Sequence, residues 1–362
     1  MRSLFRSPPV LVAIAGVAVV IILLVVAVAL TDRDDADRES TAAHRPSPTT
    51  TPDSAGPAAP ASSGPVVPSS AAPSPSSSGS GSPAAPSSAP AGSAPKAESA
   101  SPAAKLRGSF PNAGNTGVPA GAALKAPSST VLRIMKPGTV IDGADMRADI
   151  SVEANNVTIK NTRVITAGEW GIIQREGFSG LVVQDSEIRG NGKDRLQHAI
   201  FNLGGDITIK RTDMSICSDA ISTNSGLIED NYLHDPIYFD GDHTDMIQSN
   251  SGPAAGKQLV IRHNTVINTL DQTAAVALFQ DFGVQHSALI ENNLLAGGGY
   301  ALYAGAGKLG TSHNIKILNN AFSREVHAKG GQYGPVSYWD AHGSGNVWQG
   351  NVWADTGKPV NP

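Results

Sequence analysis

From about Phe110 to its C-terminus the chain restates one short phrase: NVTIKNTRV, GLVVQDSEI, DITIKRTDM, GLIEDNYL, QLVIRHNTV, ALIENNLL, NIKILNNAF and NVWQGNVW. Each copy alternates apolar and polar residues, turns a polar corner and resumes with an apolar residue. The central apolar position falls at Ile159, Val183, Ile209, Ile228, Ile261, Ile290, Ile317 and Trp348, and an earlier partial copy, TVIDGADM, adds Ile141. Among the eight full copies the spacing runs from 19 residues (Ile209 to Ile228) to 33 (Ile228 to Ile261). A period of two within each copy argues strands, and a recurring unit of this length argues a solenoid with one coil per repeat. Helical repeats are excluded, because no copy holds a helical apolar stripe and β-branched residues are frequent. The leucine spacing does not fit leucine-rich repeats. A parallel β-helix remains.

Two further columns support it. Three residues after each central position stand Thr162, Ser186, Thr212, Asn231, Asn264, Asn293, Asn320 and Asn351. The run of asparagines predicts an amide ladder bonded from coil to coil, with Asn also supplying the left-handed backbone of a tight corner. Ahead of the repeated phrases lie GIIQ, HAIF, DAIS, DMIQ, VALF, ALYA and VSYW, an additional strand in each coil behind a loop of variable length. The expected fold is all-β, a right-handed parallel β-helix of about nine or ten coils over residues 110–362. FPNAGNTGVPAG at its start and GNVWQGNVWAD near its end are expected to cap the solenoid.

The chain ahead of this domain divides in three. Residues 1–9 read as a short cytoplasmic tail. Residues 10–30, VLVAIAGVAVVIILLVVAVAL, form an unbroken apolar run long enough to cross a bilayer as a signal-anchor helix. Arg2 and Arg6 precede it, which places the N-terminus in the cytoplasm and the remainder outside. The expected location is the cell membrane, single-pass, with the C-terminal domain extracytoplasmic. The alternative is secretion after cleavage near Ala27–Ala29. Residues 31–109 are made largely of Pro, Ala, Ser, Gly and Thr with no periodic apolar face, the composition of a disordered linker. The single cysteine, Cys217, excludes an intramolecular disulfide. A net charge of −4 and no basic run with interleaved aromatics argue against nucleic acid as a partner.

Equivalent positions on successive coils lie one strand spacing apart, about 4.8 Å. The column that opens the HAI, DAI and DMI strands therefore stacks His198, Asp219 and Asp245, with Asp281 at the far end of the following strand. Two carboxylates this close repel, so either one holds a proton or a cation sits between them. The first arrangement suits general acid–base catalysis, and the second a Ca2+ site of hard oxygen ligands. Aspartate at a strand start also commonly caps the turn before it, which gives the same pair a structural reading. The longest repeat carries an insertion, YLHDPIYFDGDHTD, rich in His234, Asp235, Tyr238, Asp240, Asp242 and His243.

Asp219, Asp245 and His243 are thus the candidate catalytic residues, with His243 a base oriented by a carboxylate. His198, Tyr238 and Asp281 are candidate substrate contacts, and Asp240 and Asp242 candidate ligands for Ca2+. DGDHTD lacks the twelfth-position glutamate of a helix–loop–helix calcium loop, and no HExxH zinc signature occurs. Arg175, Lys193 and Arg195 lie on the coils just before the acidic column.

The stacked strands of residues 110–362 resemble the right-handed parallel β-helix of the pectate-lyase-like superfamily. That resemblance implies a scaffold shared by lyases, hydrolases, epimerases and non-enzymatic adhesins. SDAI and HTDMI are similar in position to the NTDG-like motif of polygalacturonase-like members, which implies catalytic roles for Asp219 and Asp245. The double Asp, GHG and RIK motifs of those members are absent from residues 110–362. DGDHTD is similar in composition, though not in spacing, to the DPHD motif of alginate epimerases of this fold. The expected function is binding and modification of an extracellular or cell-wall polysaccharide by lyase- or hydrolase-like acid–base chemistry. The alternative is a non-catalytic glycan-binding or adhesive surface module, with Tyr238, Phe239, Tyr303, Tyr338 and Trp339 supplying contacts.

Overall fold

The computed structural model describes residues 108–362. The expected tail at 1–9, the expected membrane span at 10–30 and nearly all of the expected linker at 31–109 lie outside the described residues. The described chain folds into three nine-stranded, wholly parallel sheets, visited in turn by every coil. Sheet I runs from Leu132–Ile134 to Gly334–Ser337, sheet II from Val140–Asp142 to Val347–Gln349, and sheet III from Asp145–Met146 to Val352–Trp353. This is a parallel β-helix of nine coils, and no helix occurs among the described residues.

The repeated apolar position becomes a physical stack. Ile141, Ile159, Val183, Ile209, Ile228, Ile261, Ile290, Ile317 and Trp348 are register partners from coil to coil along sheet II. Sheet I contributes a second inward stack, including Ile172, Ile200, Ile221 and Ile247. Sheet III adds a third through Val164, Ile188, Met214 and Leu233. Apart from Ile141 and Trp348 at the two ends, which are partly buried, these side chains are essentially without solvent exposure. Each full burial of an Ile or Leu contributes about 2–3 kcal/mol, so the stacks form the continuous core that stands in for disulfides.

The amide ladder lies at the corner between sheets II and III. Asn264 donates through Nδ2 to Ile228 O (3.0 Å) and to Asn293 Oδ1 (2.9 Å), and its own N–H also donates to Asn293 Oδ1 (2.9 Å). Asn231, Asn293 and Asn320 repeat the pattern. The earlier coils use hydroxyls, with Thr162 N–H donating to Ser186 Oγ (3.1 Å). One expectation is corrected here. The ladder asparagines are not the left-handed residues; the residue before each one is. Asn161, Asp185, Arg211, Asp230, His263, Asn292 and Asn319 have φ between 47° and 60°. The ladder position is chosen for its amide and the preceding position for its backbone, so residues as unlike as Arg and His occupy the latter.

The expected caps are also redistributed. FPNAGNTGVPAG does not close an end; it belongs to a lateral strap. Ser109 O accepts from His263 Nε2 (2.9 Å), and Phe110 is buried against Leu294, Ala321 and Ala354. Gly117 N–H donates to Arg211 O (3.0 Å), and Ser128 N–H to Asp145 O (2.9 Å). The strap therefore enters beside the C-terminal coils and runs the length of the solenoid to the first. At the other end GNVWQGNVWAD supplies the last strands of sheets II and III, and the residues after it fold back over them. Val352 and Pro359 form an antiparallel bridge, Val360 enters the core, and Trp348 Nε1 donates to Val360 O (2.8 Å).

Candidate functional site

Sheet I positions the expected column. Trp170, His198 and Asp219 are register partners on three successive coils. Ile221 pairs with Ile247, which puts Asp245, two residues earlier on its strand, beside Asp219. The coil-to-coil stack anticipated for His198, Asp219 and Asp245 is present.

Within it the two aspartates are not equivalent. Asp219 is 1% exposed. Its Oδ1 accepts the backbone N–H of Asp245 (2.9 Å), and its Oδ2 accepts Gln197 Nε2 (2.9 Å) and Gln248 Nε2 (2.8 Å). His198 Nδ1 lies 3.3 Å from the same Oδ2. Three N–H donors stabilise the ionised carboxylate, and each would lose its partner if Asp219 were removed. Asp245, 2% exposed, approaches Asp219 through its main chain. The more accessible member of the column is His198, half-buried and stacked on Phe201 at 4.5 Å between ring centroids. The geometry that emerges is a partly exposed imidazole against a buried, donor-saturated carboxylate.

The insertion is a folded loop. Ile216 N–H donates to Asp235 O (3.0 Å) and Ile237 N–H to Cys217 O (3.0 Å), so its first half still pairs with the previous coil. A turn then joins Phe239 to Asp242. Asp242, 5% exposed, receives Arg195 Nε at 2.7 Å, which pins the loop across the intervening coil. Arg195, one of the basic residues singled out beside the column, thus has a defined partner. Tyr238 and Asp240 are exposed on the loop, and His243 is half-buried. Among the described residues no group of three or more His, Cys, Asp or Glu side chains is placed to hold a metal ion. Asp240 and Asp242 do not complete such a group. Asp281 lies past the far end of the strand Ala274–Leu278, away from the edge that His198, Asp219 and Asp245 share.

Three contributors escape a reading by residue type. Gln197 and Gln248 hold Asp219, and Gln248 is the rung partner of Ser222, itself the partner of Phe201. Trp170 stacks on Phe201 (6.4 Å) beneath the guanidinium of Arg175, which lies 4.6 Å from the indole centroid. Arg175 lines an open cleft with Arg133, Asp149, Ser151 and Glu153. Arg133 grips Glu153 through two bonds there, and Arg175 Nε donates to Ser151 Oγ (3.1 Å). Tyr303 on sheet I and Tyr338, just past the last strand of that sheet, stack at 5.2 Å. His234 of the insertion segment belongs elsewhere, on sheet III between Asp213 and Asp235.

Compared with protein-family models, with curated proteins and with solved structures, the chain matches none.

Proposed function

We propose that this is an extracytoplasmic, membrane-anchored β-helix protein that receives a polysaccharide along the outer face of sheet I and modifies it by acid–base chemistry. One contrast carries the proposal. The outer faces of sheets II and III carry charges paired with one another, such as Arg211 with Asp185, Lys210 and Arg262 with Glu229, and Arg163 with Glu187. From the strand of Trp170 onward, sheet I instead concentrates aromatic rings and amides around the His198–Asp219 pair along successive coils. Aromatic rings beside hydrogen-bonding side chains suit sugars, which present apolar ring faces and polar rims. In this reading His198 exchanges the proton, and Asp219 orients it from beneath rather than touching the glycan. Asp245 and His243 border the same edge. The pectate-lyase-like relationship expected from the repeats belongs to this proposal, as does the calcium dependence of some chemistries on that scaffold.

A specific observation favours the second reading, a glycan-binding module without catalysis. Asp219 already accepts three N–H donors, one of them a buried main-chain amide, which is a complete structural role.

A polysaccharide panel separates the two. Wild type, His198→Ala and Asp245→Asn are assayed for new reducing ends and for ultraviolet absorbance of unsaturated products, with and without calcium. Loss of the His198 imidazole is expected to slow turnover by about 10²–10⁴-fold while the glycan is still bound. No turnover on any glycan, with retention unchanged by either substitution, removes the catalytic reading and leaves the binding module. No retention of any glycan removes both.

A further inference from the structure

The polar cluster occupies three middle coils of sheet I, and aromatic rings flank it on both sides along the solenoid axis. Toward the N-terminal coils stands the stack of Trp170 with Phe201, its indole held under Arg175. Toward the C-terminal coils Tyr303 stacks on Tyr338, with Phe279 tilted against Tyr303 and Tyr300 meeting it edge-on. Tyr333 extends that group through Tyr300. Tyr333 and Tyr338 are 50% and 44% exposed.

Tyr338 has a further peculiarity. It sits at φ 55°, a left-handed backbone that bulky residues rarely adopt. Its carbonyl accepts Ala306 N–H (2.7 Å), which fixes that conformation. A strained residue held in place to present an exposed ring points to use of the ring.

From the strand of Trp170 to that of Tyr303 is a climb of five rungs, about 24 Å. A pyranose unit of an extended glycan advances by close to one rung. A peptide fits the stretch between the two posts poorly, because the main-chain groups of these inner strands are spent between rungs and leave no edge there for it to join.

We infer that the outer face of sheet I is a linear track with an aromatic post at each end, fitted to an unbranched glycan of at least about five sugar units. The Tyr303–Tyr338 post stacks one end, and the Trp170–Phe201 post the other. The inference rests on the glycan reading above and adds chain length and shape to it.

The test uses the full chain and two series of β-1,4-linked oligosaccharides, from cellulose and from chitin, each from dimer to octamer. Binding is followed by calorimetry, with insoluble cellulose and chitin as retention controls. Affinity is expected to climb with length until about the hexamer and then level off. Tyr303→Ala is expected to weaken the longer oligomers by about threefold to tenfold, the range of one lost aromatic stack, and to leave dimers unaffected. Tyr338→Gly removes a ring while relieving the left-handed strain, so the same loss with an undiminished melting temperature separates the ring from the fold. Dimers binding as tightly as octamers would overturn the inference. So would full affinity in both tyrosine variants, although the wider glycan reading would survive that result. Failure to bind any glycan, charged or neutral, overturns both.

Discussion

His234 shows how much a single residue's setting decides. Its ring stacks on Tyr232 at 4.0 Å, with Nδ1 2.8 Å from Asp235 and Nε2 3.1 Å from Asp213. Burial alone would favour the neutral ring, but the hydrogen bonds to Asp213 and Asp235 outweigh it and raise the pKa above the ordinary histidine value. The stability it lends is therefore complete below the unfolded value of about 6.5 and is lost as pH rises through the higher folded value. His286 has the opposite sign. Burial and the neighbouring His313 lower its pKa, so its setting costs stability as pH falls below the ordinary value. Comparing wild type with His234→Gln isolates the first effect. Their difference in melting temperature should shrink as pH rises above about 6.5. A difference that stays constant through neutral pH would contradict the double pairing. None of this was visible in the sequence, where His234 looks like one more polar residue of the insertion. Asp213 comes from the previous coil, and only the register brings it close.

At the scale of elements the amide ladder was legible and its neighbour less so. Asparagine at one position of five successive coils announces a stack, because each coil repeats the same backbone path. The left-handed corner is announced less evenly: Asn161, Asp185, Asp230, Asn292 and Asn319 are of the types that tolerate this backbone, whereas Arg211 and His263 interrupt the column. The ladder also makes a sharp energetic prediction. Asn293→Ala strips an acceptor from the N–H and Nδ2 of Asn264 and a donor from Ile261 O, all buried. With about 1–3 kcal/mol for each orphaned group and partial relaxation, the loss should be about 2–4 kcal/mol. Denaturant unfolding measures it directly. Asn293→Thr should recover part of that loss, because Thr162 and Ser186 serve the same column through hydroxyls. The site elements were half legible for the same reason. The stack of His198, Asp219 and Asp245 follows from the repeat, whereas the donor set of Asp219 depends on glutamines whose reach no spacing reveals.

For the molecule as a whole, a solenoid of parallel strands has two open ends, and each end strand invites another chain to pair with it. Here the C-terminal residues turn back antiparallel and send Val360 into the last coil. Deleting residues 355–362 should expose Trp348 and the final strands and drive concentration-dependent self-association. Light scattering on the truncated chain checks this, and a strictly monodisperse product would contradict the capping role. The sequence gives the number of coils to within one, yet it misplaces the first cap, because an apolar Phe110 among Gly, Pro and Asn says nothing of which surface it will find. That surface, formed by Leu294, Ala321 and Ala354, lies beside the last coils although the segment precedes the first. The strap thereby sets how the domain answers to traction. A pull on the chain ahead of Ser109 is met first by the His263 bond and the Phe110 anchor, then by Gly117 on Arg211, and last by Ser128. Under a peeling load the contacts are expected to yield in that order, so that the strap is unpicked along its length before the load reaches the first strand at Leu132.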